Sequence, residues 1–289
     1  MQELLEAGKS TSTLKGMVAA IKAARVGDNK LAESDCSLIS RFLKGAVRLA
    51  PGSRRPVVPA WDLKLVLAAL QLEPFEPLAS VDLKWLSLKV AFLIAVASAR
   101  RVGEIQALSI HESCCRFLPE SAGVLLRPNP AFLPKVLSDF HLHQPVVMKS
   151  LSLAQEGDGE AHDWALLCPV RALKIYIQRT GAFRKTDQLF VCFHPRCLGQ
   201  PVSKSRLSHW IVDTIRQAYA GSDAPAPRRV RAHSTRGIAT SWALWRGASL
   251  SEVCAAATWS SPSTFARFYN LNVAAGNAFG EQVLGVGMH

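Results

Sequence analysis

The stretch that decides the reading of this chain is 230-VRAHSTRGIATSWALWRGASLSEVCAAATWSSPSTFARFYNL-271. Its spacing predicts three short helices. Ile238, Trp242 and Trp245 form an apolar stripe at helical intervals, and Gly247 is a natural stop. Ser249 followed by Glu252 has the pattern of a capping box for the next helix. Trp259 falls just past that helix, and Ser261-Pro262 fits the N-cap and first position of the third. His233 and Arg236 are three apart, so on a helix they share one face. With Trp259 and Tyr269 they make a candidate set of polar and aromatic side chains.

Working outward, 97-ASARRVGEIQAL-108 adds Arg101 at a helix junction, with Glu104 one turn on. Two arginines, a lysine, a histidine, a tryptophan and a tyrosine are what metal-free phosphoryl transfer needs. The cations stabilise charge on the phosphate, and the tyrosine supplies a nucleophile.

The order R-x-x-E, H-x-x-R, W, Y resembles the tyrosine recombinase (phage integrase) family. The Arg236-to-Trp259 interval is the family's usual one. The Trp259-to-Tyr269 interval is one residue longer than its commonest, with Pro262 in the gap. The wording of 168-CPVRALKIYIQRTGAFRKTDQLFV-191 and 259-WSSPSTFARFY-269 is most similar to the recombinases of DIRS/Ngaro-type retrotransposons.

The resemblance implies a mainly α fold, with a small helical DNA clamp followed by a larger helical catalytic domain carrying a small antiparallel sheet. It implies Tyr269 as nucleophile, Arg101 and Arg236 on the phosphate oxygens, and His233 and Trp259 completing the cradle. Glu104 holds Arg101 in place. A hairpin lysine protonates the leaving group; Lys135 is the first candidate and Lys149 its rival. Trp259 stands where most members have His, and Gly237 where bacterial members commonly have His. No metal or cofactor is implied. The implied partner is double-stranded DNA, bound by a homo-oligomer that is a dimer on one site and a tetramer in the synapse. The implied role is retrotransposon integration, in the nucleus. A type IB topoisomerase-like enzyme, a catalytically silent domesticated DNA-binding protein and a basic helical scaffold are the alternatives.

The composition agrees with such a partner. The 289 residues carry a net charge of +12 and are 49% hydrophobic, enough for a substantial core and too apolar for disorder. Seven cysteines without disulfide-like spacing suggest reduced thiols and an intracellular compartment. The first residues, MQELLEAGKS, lack the apolar core of a secretory signal. The longest apolar run, Val90–Ala99, is flanked by Lys89 and Arg100 and falls short of the ~18 residues of a membrane span, so a buried helix is expected.

In chain order, residues 1–50 look helical, with a stripe of Leu14, Val18 and Ile21 and a second of Leu38, Ile39, Phe42, Leu43 and Val47. By itself this reads as a small helical bundle; the resemblance implies that it is the core-binding clamp, one that looks short at its N-terminus. Residues 51–60, PGSRRPVVPA, form a stiff linker whose Arg54 and Arg55 could touch phosphates. The catalytic domain is expected over residues 61–289. Helices are expected at 61–71 and 82–99. The segments GVLLRPNP, AFLPKV and QPVVMK within 113–149 suggest a small antiparallel sheet. An acidic loop occupies 150–163, and Pro169 opens a helix over 168–180. Another helix, 203–219, buries Leu207, Trp210, Ile211 and Ile215 and offers Lys204, Arg206 and Arg216 on its other side. The loop 220–232 brings Arg229 and Arg231 to His233 as further DNA contacts. The small apolar tail 272–289 has the look of a segment that packs on a neighbouring subunit.

Overall fold

The computed structural model describes residues 1–25, 33–49, 59–142, 144–151 and 161–271. Arg54 and Arg55, most of the linker, most of the acidic loop and the tail lie outside the described residues. The chain divides into two compact units, Met1–Arg55 and Pro56–His289.

The first unit holds α1 (Gln2–Glu6), α2 (Thr11–Ala24) and α3 (Glu33–Leu49). Ser10 caps α2 by accepting the Thr13 amide at 3.2 Å. Leu14, Val18 and Ala46 are buried, whereas Ile21, Leu38 and Val47 face outward. Only part of each expected stripe is therefore covered, because a unit this small has little interior.

The second unit is built on α5 (Leu83–Ser98), which packs against α8 (Pro169–Thr180), α9 (Lys204–Ala220) and α10 (Ser234–Trp245). The stretch from Leu86 to Ala95 is buried all round, as a helix surrounded by helices must be. α4 (Leu63–Ala69) precedes it and α6 (Val102–Gln106) follows. Three shorter helices, α7 (Ala161–Leu166), α11 (Leu250–Ala256) and α12 (Pro262–Phe268), complete the set. Among the described residues no helix is long and apolar enough to cross a membrane.

Lys89 does not flank this buried helix; it lies inside it. Its side chain is fully buried, with Nζ 2.6 Å from Glu76 Oε1 and donating to the Leu70 carbonyl at 2.6 Å. Arg171 of α8 donates to the same carboxylate through Nη1 at 3.0 Å and Nη2 at 3.3 Å. Burial pushes the Glu76 carboxyl up, but hydrogen bonds from Arg171 and Lys89 carry it below its ordinary value. The triad ties α5, α8 and the loop before α5 together.

The sheet is antiparallel, in the order β1 (Cys115–Phe117), β2 (Gly123–Leu126), β3 (Val146–Lys149). Val124 pairs with Met148 and Leu126 with Val146, placing four apolar side chains toward the core. One expected strand is absent: Ala131–Val136 belongs to the long β2–β3 loop, and Cys115–Phe117 takes its place in the sheet. Pro134 cannot donate to a ladder. Asn129 has also turned the chain already, accepting the Ala131 amide on its side chain (2.9 Å) and the Phe132 amide on its carbonyl (2.8 Å).

Trp61 joins the start of α4 to the start of α10. Its ring meets Phe92 edge-on at 6.1 Å, and its Nε1 donates to Ser234 Oγ at 2.8 Å. That contact sets the turn carrying His233.

Candidate active site

Three local devices present the site residues. His233 is the N-cap of α10, and Arg236 sits one turn in. Ser234 Oγ donates to the Arg231 carbonyl (2.6 Å) and Thr235 Oγ1 to that of Ala232 (2.7 Å), fixing the turn. Ala99 ends α5 in the left-handed region at φ 50°, which redirects the chain so that Arg101 caps α6. Glu104 then takes the Arg101 guanidinium at 2.8 Å and its amide at 3.3 Å. The capping box at Ser249 is formed, Pro262 opens α12 and Tyr269 ends it.

These devices converge. Tyr269 Oη lies 2.9 Å from His233 Nε2, the rings edge-on at 5.7 Å. Trp259 lies against the Tyr269 ring at 4.7 Å. The Arg236 guanidinium is under both rings, 4.7 Å from the Trp259 centroid and 5.5 Å from that of Tyr269. Arg236 is 1% exposed and donates from Nη2 to the Ala257 carbonyl. Its Nε and Nη1, and Trp259 Nε1, have no partner among the described residues. Three buried donors without acceptors in one place are rare in folded proteins and mark a place for an acceptor.

The electrostatics follow from crowding of cations. Burial, then the charges of Arg236, Arg101 and Lys135, hold the His233 pKa below its ordinary value, so its imidazole is neutral at neutral pH. A neutral ring protonated on Nδ1 can accept the tyrosine proton on Nε2. Burial, followed by repulsion from Arg101, lowers Arg236 to about 10.

A cleft of about 920 Å³ runs in front of Tyr269, lined by Arg101, Glu104, Lys135 and His233 among others. Arg236 and Trp259 do not line it; they lie behind the Tyr269 ring. Lys135, on the β2–β3 loop, reaches the cleft, whereas Lys149 ends β3, where its charge is felt at Glu252. Of the expected DNA contacts, Lys204 and Arg231 line the cleft and Arg206 and Arg229 do not. Residues two apart on a helix are about 200° apart around its axis, so Lys204 and Arg206 cannot share a face. The face that does reach the cleft runs from Lys204 through Ser208 and Val212 to Arg216, with His209 beside it. Its i, i+4 repeat was present in the sequence. Arg100, 8% exposed and donating to the Pro145 carbonyl at 2.8 Å, is a buried neighbour that the sequence did not single out beside Arg101.

The other two tyrosines are occupied elsewhere. Tyr176 is fully buried and exchanges hydrogen bonds with the Val191 backbone; Tyr219 Oη accepts the Asp62 amide at 2.7 Å.

No protein-family model matches the chain, and no curated protein matches it. Solved structures do. The chain is similar to the crystal structure of XerA recombinase, with a TM-score of 0.50 and 15% identity over 87% of this chain and 74% of that one. It is equally similar to XerH site-specific recombinase bound to palindromic difH substrate in a post-cleavage complex, with a TM-score of 0.50 and 15% identity over 79% of this chain. It spans about half of the XerH chain, 53%. The fold, mostly helical with a small three-stranded antiparallel sheet, thus matches that of tyrosine recombinase catalytic domains.

Proposed function

We propose that this protein is a site-specific DNA recombinase or integrase that cuts and rejoins DNA through a 3′-phosphotyrosine intermediate. The observation that carries the reading is the 2.9 Å contact of Tyr269 Oη with a His233 that burial and cations keep neutral, at the edge of a cationic cleft.

In the cleavage step the Tyr269 oxygen bonds to the scissile phosphorus and the P–O5′ bond breaks. The phenol proton passes to His233 Nε2, and the departing O5′ takes a proton from Lys135. Arg101 and Arg236 neutralise the non-bridging oxygens; their planar forks suit bidentate phosphate contacts. Because the Tyr269 ring covers Arg236, the ring must leave the guanidinium face for that contact to form. Rejoining reverses the step on a new 5′-hydroxyl, so the bond energy is retained and no nucleotide cofactor is consumed.

Double-stranded DNA as partner is supported by the net charge of +12 and by Lys204, Arg216 and Arg231 along the cleft. The solved XerH relative is bound to its difH substrate. In this reading residues 1–50 are the core-binding clamp, residues 61–289 the catalytic domain, and the working form is a dimer on a site and a tetramer in the synapse. A retrotransposon role, and with it action in the nucleus, rests on the wording of residues 168–191 and 259–269.

The test is a nicked suicide substrate resolved on a denaturing gel. The expected result is a covalent protein–DNA band that disappears in Tyr269→Phe. A band that survives Tyr269→Phe and is lost in Tyr176→Phe or Tyr219→Phe overturns the assignment.

A further inference from the structure

Ser241 lies on α10, five residues after Arg236, and is 3% exposed. A buried helical serine ordinarily returns its hydroxyl to the carbonyl four residues back, as Thr240 does to Arg236 at 2.8 Å. Ser241 instead donates Oγ–H to the Tyr269 carbonyl at 2.7 Å and accepts the Leu271 amide at 2.9 Å. One hydroxyl therefore satisfies the backbone on both sides of Asn270, immediately after α12 ends.

One turn earlier, Gly237 makes room for the same segment. A Cβ there would stand 3.3 Å from Leu271 Cδ1 and 3.7 Å from Tyr269 Cδ1. The chain carrying Tyr269 thus crosses α10 at Gly237 and is fastened at Ser241. His233 and Arg236 belong to the same helix. The fastening makes one rigid element bear the base and the buried guanidinium and hold the backbone of the tyrosine, which is how a reacting geometry is kept within a fraction of an ångström.

We infer that Ser241 is a positioning residue for the nucleophile: its hydroxyl sets the reach of Tyr269 toward His233 and the scissile phosphate without touching either. The inference rests on the reading of Tyr269 as the nucleophile.

The test compares wild type, Ser241→Ala, Ser241→Cys and Tyr269→Phe on the suicide substrate. It follows the rate of adduct formation at saturating DNA, the DNA concentration for half-saturation and Tm. Ser241→Ala is expected to slow adduct formation by on the order of 10–100-fold, the penalty for a nucleophile misplaced by about 1 Å. Half-saturation should stay unchanged, because the DNA-facing cations are untouched. Ser241→Cys, which keeps a weaker donor and acceptor in place, should fall between. A Ser241→Ala rate equal to wild type overturns the inference and leaves the proposed function standing. So does a loss of DNA affinity and Tm in both serine variants in proportion to the loss of rate, which would show a structural role only. If wild type gives no adduct, the proposed function fails and the inference with it.

Discussion

Replacing Arg236 with Met separates its part in the proposed cleavage from what it costs the fold. The side chain is 1% exposed, and its pKa has dropped to about 10. Against the ordinary arginine value, at about 1.4 kcal/mol per pH unit, the protonated form is disfavoured in the fold by roughly 3 kcal/mol. Below pH 10 the folded chain bears this cost in full. It is relieved only as pH rises from there into the ordinary arginine range, where the folded guanidinium has lost its proton and the unfolded one has not. Met keeps much of the volume and removes the charge. It leaves the Ala257 carbonyl without its donor, a loss of roughly 1–3 kcal/mol, and forfeits cation–π contacts with Trp259 and Tyr269 of about 0.5–2 kcal/mol. These magnitudes nearly cancel. Arg236→Met should therefore leave Tm within a few degrees of wild type, at about 2–4 °C per kcal/mol for a domain of this size. Adduct formation should fall by about 10²–10³-fold, the usual cost of losing one donor from a charge-stabilising site. Differential scanning calorimetry and the suicide-substrate assay on the same preparation measure both. A Tm drop beyond about 6 °C, equivalent to roughly 2 kcal/mol or more, or a rate within tenfold of wild type, refutes the reasoning.

Because His233 is neutral down to a pKa below its ordinary value, adduct formation should persist below pH 6.5 and fall only as the imidazole takes a proton; His233→Gln should slow the reaction and abolish that acid limb in a pH–rate profile. Glu76→Gln leaves Lys89 and Arg171 without their carboxylate and should cost about 3–5 kcal/mol in urea unfolding, as broken buried ion pairs do; a change under 1 kcal/mol would sink the structural reading of the triad. Lys204→Ala and Arg231→Ala should each lower the slope of log affinity against log salt by about 0.9 if each neutralises one phosphate; unchanged slopes in an anisotropy titration would remove both from the DNA contact.

Several features of the site were legible because they are local. A His and an Arg three apart on a helix share a face whatever surrounds them. Glu104 can reach back to Arg101 across one turn, and Ser249 and Pro262 mark helix starts by hydrogen bonds and φ values that involve only their neighbours. The burial of Val90–Ala95 within α5 follows from its unbroken apolar run. The strand positions were less legible, because proline and asparagine in 128–134 turned an apolar stretch into a loop while three residues at Cys115–Phe117 found a ladder.

What the sequence by itself determined was most of the longer helices, the helix starts at Ser249 and Pro262 and the order of the candidate residues along the chain; α7, over Ala161–Leu166, begins inside the expected acidic loop and was not foreseen. Tertiary structure alone decided which atoms meet. It put Lys89 inside α5 opposite Glu76 and Arg171, the latter contributed from 95 residues beyond Glu76. It brought Lys135 rather than Lys149 to the cleft, buried Arg236 beneath Trp259 and Tyr269, and spent Ser241 on a backbone 28 residues away. The physical reason is one of range. Helix periodicity and capping arise from hydrogen bonds spanning three or four residues, so they can be read along the chain. Desolvation, charge crowding and shared hydrogen bonds depend on which segments pack together, and only the folded chain settles that.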